Sequence, residues 1–166
     1  ADDVNTVAIE SFREAIALGS ACRVAATTEE AQYSLPFPVA AALVFGDIGA
    51  QEVSLPRLAD PRVGRLQRAM TLIEDADFSR RFPAERWARV RVALADGRTL
   101  VSGPARARGN PENPLTDDEL RRKSFALAEP VLGGARAARI AGAVHGLATD
   151  DKAYGVLLEE LLRSIP

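Results

Sequence analysis

Apolar and polar residues alternate most regularly over residues 87–105. The apolar side chains at positions 88, 90, 92 and 94 share one face of an extended chain, and two arginines share the other. This period of two indicates a strand with one covered face. Asp96 and Gly97 then form the residue pair most typical of a tight hairpin, because both residues can take positive φ. The pattern predicts a hairpin whose return strand runs over residues 99–105.

Helical patterns dominate the rest of the chain. Thr27 and Glu30 have the spacing of a capping box and predict a short turn before the proline segment, whereas the capping box of Thr116 and Glu119 predicts a helix that runs to about Ala128. Further helical starts and apolar faces lie at residues 14–23, 60–70, 137–144 and 154–161. Loosely alternating strand patterns lie at residues 4–11 and 72–75.

This order of elements predicts an α+β fold. We expect a two-layer sandwich in which a mixed or antiparallel sheet has helices packed on one face. The expected domains are an α+β domain over residues 1–130 and a C-terminal helical tail over residues 131–166, which can dock on a body other than the sheet.

Composition narrows the class of protein. A chain of 166 residues with a formal charge of −2 has no global field that recruits nucleic acid or an anionic membrane. Its longest apolar run, residues 35–45, is too short to span a bilayer. Cys22 is the only cysteine, so no internal disulfide can form, and a cytoplasmic location is expected.

The most informative segment is residues 31–46, in which polar residues lead through two prolines into that apolar run. Ser34 can cap a buried helix whose first turn contains Pro36. The positive end of the helix then lies beside Gln32, Tyr33 and Phe37, where free amides can bind a carboxylate. The alternative is a capped core helix that binds no ligand.

Basic residues are unevenly distributed by type. Of the 21 basic residues, all but Lys123 and Lys152 are arginine, the residue suited to bidentate carboxylate binding. Arg106 and Arg108 fall in a predicted loop over residues 106–115, where binding residues tend to gather. The sequence leaves two alternative roles for these two arginines, anion binding and interdomain salt bridging.

Residues for acid–base or metal chemistry are few. His145 is the only histidine, so this chain cannot build a histidine metal site, and a structural role is expected for it. Glu74, Asp75 and Asp77 are expected to form a solvated edge rather than a metal site. No phosphate-binding loop is present, and neither cofactor nor metal is expected.

Several ordered blocks resemble the MmgE/PrpD family. The blocks lie at residues 31–37, 39–43, 60–63, 90–99 and 109–120, and Lys123 fits the pattern that follows the last block. The resemblance covers about residues 4–130. The family includes 2-methylcitrate dehydratase, cis-aconitate decarboxylase and iminodisuccinate epimerase, which act on small polycarboxylates without a redox cofactor. The resemblance implies a smaller α+β lid, with the active site between the lid and a large all-helical domain.

This chain resembles the lid and the helices that follow it. The resemblance implies an N-terminal all-helical domain of the same parent protein as partner, since that domain supplies most of the catalytic groups. It also implies a small polycarboxylate substrate and a dimeric parent protein. Under this interpretation Gln32, Ser34, Arg106 and Arg108 are the candidate substrate-binding residues, and the isolated chain is expected to be inactive.

One position departs from the family pattern. Many members carry tyrosine where this chain has Phe37, which has no hydroxyl to donate a proton or a hydrogen bond. Tyr33 is a weak substitute four residues earlier, so no catalytic residue is assigned. The competing hypothesis is a non-catalytic binding or assembly module that retains the fold without the active site.

Overall fold

The computed structural model describes residues 1–164, which divide into two compact units. The first unit is Ala1–Ala107, and the second begins at Arg108. The domain boundary expected after residue 130 concerns the family's domains and stays a prediction. The elements of the first unit are β1 (Val4–Ser11), α1 (Arg13–Ser20), α2 (Thr28–Tyr33), α3 (Pro36–Phe45), α4 (Leu55–Leu58), α5 (Pro61–Arg68), β2 (Met70–Glu74), α6 (Ala76–Arg81), β3 (Trp87–Leu94), β4 (Thr99–Val101) and β5 (Ala105–Arg106).

The sheet of the first unit is mixed. Its strands lie in the order β2-β1-β3-β4, and β5 also pairs with β3. The central strand β1 is parallel to β2, with Val7 opposite Met70, and antiparallel to β3, with Ile9 opposite Val90. The α+β fold with a mixed sheet is therefore confirmed.

The hairpin is also confirmed, except for its return strand. β3 pairs antiparallel with β4, and Gly97 in the connecting turn has a φ of 88°. The prediction of one return strand over residues 99–105 is wrong, because β4 ends at Val101. Pro104 has no amide hydrogen for the ladder, and pairing resumes only in β5, where Arg106 lies opposite Trp87. Arg106 is thus the end of a strand rather than a loop residue.

One face of the sheet carries the hydrophobic core. Val7 and Ile9 of β1 are buried there with Phe37 of α3 and with Val63 and Leu66 of α5. Asp60 begins α5 as predicted: its carboxylate accepts the amide hydrogen of Arg62, and Pro61 occupies the first turn. The placement of Met70 on this helix is wrong, because α5 ends at Arg68 and Met70 begins β2. Burying such apolar side chains stabilises the unit by about 2 kcal/mol for each large residue.

A glycine explains how closely α1 approaches α3. Gly19 is buried, and a Cβ added there would lie 2.4 Å from Cγ of Leu35, so only glycine fits. The helix predicted over residues 14–23 ends earlier, at Ser20. The capping box of Thr27 and Glu30 is present at the start of α2, as predicted.

The opposite face of the sheet is charged. Arg89 and Arg91 lie on this face, as the alternation predicts, and donate to the two oxygens of Glu10, Arg89 Nε at 2.6 Å from Oε2. Arg89 also contacts Asp75, the N-cap residue of α6, at 3.3 Å. Burial raises the pKa of Glu10, but the two guanidiniums outweigh burial and hold it below the usual value.

The second unit is helical. It contains α7 (Asp117–Leu132), α8 (Gly134–Gly146) and α9 (Ala153–Leu162). The predicted capping box of Thr116 and Glu119 begins α7, but α7 runs four residues beyond the expected end and includes Pro130. α7 packs on α8, and α8 packs on α9.

A buried arginine ties α8 to the end of α9. Arg136 donates to the carbonyl oxygens of Glu160, Arg163 and Ser164, so its guanidinium caps the last turn of α9. Glu160 is itself buried, and the hydrogen bond from Arg139 lowers the pKa of its carboxyl. None of the helices in residues 1–164 combines the length and apolar character that crossing a membrane requires.

Candidate functional site

The corner formed by Gln32, Tyr33, Ser34 and Phe37, here the Ser34 corner, joins α2 to α3. Ser34 is buried, and its hydroxyl accepts the amide hydrogen of Phe37 at 3.1 Å, the capping bond that the sequence predicts. The same hydroxyl donates to the carbonyl oxygen of Cys22 at 2.7 Å. Because both bonds are internal, Ser34 holds the corner together.

The start of α3 offers few donors to an anion. Pro36 and Pro38 have no amide hydrogen, and Ser34 accepts the hydrogen of Phe37 between them. No amide of these three positions is left for a carboxylate, contrary to the expectation from the sequence. The helix dipole remains, so a substrate at this corner would depend on side chains for its hydrogen bonds.

The side chains of the corner point in different directions. Phe37 is only 1% exposed and belongs to the core, whereas Tyr33 is 60% exposed. Gln32 is exposed, and its amide nitrogen donates to the carbonyl oxygen of Thr28 at 3.1 Å. Gln32 and Tyr33 are thus the members that a ligand from solvent reaches, and the ring of Phe37 is not.

Arg106 belongs to a second candidate site in the first unit, the Trp87 cluster, which consists of Arg81, Glu85, Trp87 and Arg106. The indole nitrogen of Trp87 donates to Oε2 of Glu85 at 2.7 Å. Nη1 of Arg106 lies 3.5 Å from the other oxygen of Glu85, and Nη1 of Arg81 lies 3.7 Å from Oε2. Both guanidiniums lie near the indole ring, 5.7 Å for Arg81 and 6.0 Å for Arg106.

Arg108, in the second unit, binds a carboxylate of its own chain. Its guanidinium donates to both oxygens of Glu119, at 2.8 Å to Oε2, and to the carbonyl oxygen of Pro114 at 3.3 Å. The bond from the Thr116 amide, together with Arg108 and the Thr116 hydroxyl, lowers the pKa of Glu119 to about 2. This salt bridge lies within the second unit, so it is not the interdomain pairing considered from the sequence, and anion binding by Arg108 stays a prediction.

The acidic run after β2 has structural partners. Glu74 accepts from Arg13 and Ser79, Asp75 caps α6, and Asp77 pairs with Arg80. Within residues 1–164, no cluster of three or more histidine, cysteine or acidic side chains is arranged to hold a metal ion.

His145 is exposed on α8 and lines a groove of about 420 Å³ between α7 and α8. The groove is mainly apolar, with Phe125 and Ile140 among its lining residues. The apolar neighbours of His145 therefore favour a packing role for its side chain over acid–base chemistry.

The Trp87 cluster and the Glu10 ion pairs were not identified from the sequence. Glu85 lies in a polar turn, and nothing in its neighbours along the chain indicates that it meets Arg106, which is 21 residues away. The pairing of β3 with β5 brings them together. The alternation in β3 does place Arg89 and Arg91 on the polar face. An acidic residue on the same face of a neighbouring strand, as Glu10 is on β1, was the signal that could have predicted these ion pairs.

The fold defines an α+β domain followed by a helical unit, with arginine–carboxylate pairs in each. The sequence model of the MmgE/PrpD C-terminal domain matches residues 1–149. The chain belongs to this family. A search of curated proteins found no match.

Proposed function

We propose that this chain is the lid of an MmgE/PrpD-type lyase or isomerase that acts on a small polycarboxylate. The observation that carries the proposal is the match to the family's C-terminal domain, which extends over residues 1–149. The name of that domain implies a parent protein with a further, N-terminal part. Under this proposal that part is an all-helical domain, and it supplies the catalytic base.

The second unit supports the need for such a partner. No residue of α7 is buried, and Leu120, Leu127 and Val131 on one of its faces are each at least 50% exposed. A helix with such a face is stabilised when the face packs against another element. The helical domain of the parent protein is the proposed occupant.

The proposed reaction is proton abstraction next to a carboxylate, followed by loss of water or carbon dioxide or by inversion of the stereocentre. The lid orients the acid and excludes water when it closes. Gln32 and Arg106 are the proposed substrate contacts of the first unit. Ser34 acts indirectly by holding the corner, and Arg108 contributes only if it exchanges Glu119 for substrate.

Turnover assays test this division of labour. The 166-residue chain is incubated with 2-methylcitrate, citrate and cis-aconitate, beside the parent protein and a parent variant that lacks this chain. We expect turnover by the intact parent protein alone. Robust turnover by the isolated chain would contradict the split site, and an inactive parent protein would contradict the enzymatic proposal.

A non-catalytic binding or assembly module is the second candidate. The observation in its favour is Phe37, which has no hydroxyl and whose ring lies in the core. Hydrogen exchange on the parent protein distinguishes the two candidates. Citrate-like acids should protect amides around residues 28–40 if the lid closes over substrate, whereas an assembly module should show unchanged exchange there.

A further inference from the structure

We propose that β4 (Thr99–Val101) is a self-association edge, along which a second copy of this chain adds its own β4 in antiparallel orientation. The sheet order ends at β4, so among the residues that the structure describes no strand lies beyond it. All three residues of β4 are exposed. The edge lies wholly in the first unit, and the inference does not rest on the proposed function.

Hydrogen bonds at both ends of β4 fix which of its backbone groups face β3. The amide of Leu94 donates to the carbonyl oxygen of Arg98 at 2.8 Å, and the amide of Ser102 donates to that of Val90 at 2.9 Å. Pairs with and without hydrogen bonds alternate along an antiparallel ladder, so the even-numbered residues of this segment bond to β3. The odd-numbered residues of β4 consequently direct their amides and carbonyls away from the sheet.

A second β4, related by a two-fold axis at Leu100, matches these outward groups. Thr99 of one copy then lies opposite Val101 of the other, and the two residues exchange both amide–carbonyl hydrogen bonds. The symmetric pair does the same. Leu100 faces its own copy and extends the apolar row that begins at Val92, its partner on β3. Because Leu100 is 53% exposed in the single chain, the contact also removes apolar surface from water.

The charges along this edge are compatible with a second copy. β4 itself contains no charged residue, and Arg98, just before it, pairs with Asp96 at 2.7 Å. In the two-fold register Arg98 lies opposite Ser102 of the other copy. No like charges therefore meet across the axis.

The opposite edge of the sheet is protected against such pairing. Arg23 lies beside β2 there, and its guanidinium donates to the carbonyl oxygen of Met70 at 2.6 Å. Glu74 places a charge at the end of the same strand. Natural proteins use charged side chains in this way to prevent pairing between sheet edges. The sequence of β4 contains none, so the two edges of one sheet differ in their capacity to pair.

The expected dimer is weak. Pro104 interrupts the strand beyond Val101, so the contact is limited to three residues from each copy. An interface of this length lies below the size of stable protein interfaces. We expect a dissociation constant on the order of 100 μM.

Engineered cysteines test the register. Opposed residues without ladder hydrogen bonds have Cα atoms about 4.5 Å apart, within the span of a disulfide. Leu100→Cys should therefore form a disulfide-linked dimer under mild oxidation of the 166-residue chain, in a Cys22→Ser background that removes the natural thiol. Thr99→Cys is the matched control, because its copy lies diagonally across at about 7–8 Å. We expect Leu100→Cys to form the dimer at least about tenfold faster on non-reducing gels. Reaction with a small thiol reagent corrects for differences in accessibility.

Sedimentation equilibrium measures the association without oxidation. Val101→Pro removes an outward amide that the ladder with β3 does not use, so the variant should remain folded by circular dichroism. Its dissociation constant should rise at least about tenfold, because the second copy loses a hydrogen bond and meets the proline ring. Val101→Thr retains the amide and should associate like the unmodified chain. Leu127→Asp controls for association through α7 and should leave the β4 dimer unchanged.

Equal crosslinking by the two cysteine variants, a dimer that persists in Val101→Pro, or a chain that stays monomeric at millimolar concentration would overturn the inference. Hydrogen exchange on the parent protein tests another occupant. Protection of the Thr99 and Val101 amides that persists in Leu100→Lys, which opposes two like charges at the axis, would mean that the helical domain covers the edge, and would also overturn it. None of these outcomes depends on turnover, so each is separate from failure of the proposed function.

Discussion

At the scale of single residues, Ser34 links two segments through one hydroxyl. Ser34→Ala leaves the amide of Phe37 and the carbonyl of Cys22 without this partner inside a buried corner. We expect the free energy of unfolding to fall by about 1–3 kcal/mol. Urea denaturation measures the change. Ser20→Ala is the control, because Ser20 is exposed and bonds only the carbonyl of Ala17; equal losses in the two variants would argue against the structural role of Ser34.

Phe37 allows a test of the family's tyrosine at this position. Phe37→Tyr introduces a hydroxyl into a core position that is 1% exposed. A buried hydroxyl without a partner costs about 1–3 kcal/mol, so thermal unfolding should begin at lower temperature. Tyr33→Phe, at an exposed site, should leave the melting temperature unchanged. A Phe37→Tyr variant that is as stable as the unmodified 166-residue chain would mean that the ring edge reaches solvent or a polar partner.

Local spacing determined which residue contacts were predictable. The bond from Phe37 to Ser34 spans three residues and follows from the capping pattern. The bond from Ser34 to Cys22 spans twelve residues and depends on how the chain after α1 folds back onto the corner between α2 and α3, which no local pattern specifies. The burial of Phe37 could not be predicted either, because an apolar run without polar positions does not show which of its side chains face the core.

At the scale of elements, the start of α7 makes a prediction about pH. The folded pKa of Glu119 is about 2, below the ordinary value of 4.5. A lowered pKa means that the charged form stabilises the folded state above pH 4.5, and that this contribution is lost as the pH falls toward 2. The difference in α7 stability between the unmodified chain and the Glu119→Gln variant should therefore be largest above pH 5 and vanish near pH 2.

Hydrogen exchange of the amides in the first turns of α7 measures that difference. Glu159→Gln, an exposed change on α9, is the matched control and should show no such dependence on pH. A Glu119→Gln difference that stays constant from pH 7 to pH 2 would contradict the role of its charge.

Elements that follow from turn and capping chemistry were predicted correctly. Asp96-Gly97 indicated the hairpin, and Thr116 indicated the start of α7; the capping box at Thr27 was also recognised, although only a short turn was expected where α2 forms. The break between β4 and β5 was missed although Pro104 was visible in the sequence. Arg106 was consequently assigned to a loop, when its strand pairing is what brings it to Glu85.

At the scale of the whole molecule, the exposed face of α7 predicts that a substitution there weakens assembly but leaves the stability of the chain nearly unchanged. Leu127→Asp changes a side chain that is 54% exposed, so the free energy of unfolding of the chain alone should change by no more than about 0.5 kcal/mol. Binding to the separately purified helical domain should weaken about tenfold or more, because a charge would enter a packed interface.

Leu18→Asp is the control for that experiment. Leu18 is 61% exposed on α1 of the first unit and lies outside the proposed docking face. Calorimetry on both variants should therefore distinguish them. Equal weakening by the two substitutions, or none by Leu127→Asp, would argue against docking through α7.

The fold class followed from the order of patterns, but strand directions did not. Alternation over residues 4–11 identifies β1, yet it does not state whether its neighbours run parallel or antiparallel. β1 takes one neighbour of each kind, and both pairings join distant segments: Val7 lies opposite Met70, and Val4 opposite Leu94. A mixed or antiparallel sheet was the most that the sequence supported.

These distant pairings have a consequence for biosynthesis. The central strand β1 precedes both of its partners along the chain, and its antiparallel neighbour ends at Leu94. At a translation rate of about 5–20 residues per second, the edge of β1 that pairs with β3 waits roughly 4–20 s for its partner. Val7 and Ile9 are exposed during that interval, so chaperone binding to this part of the nascent chain should concentrate on β1.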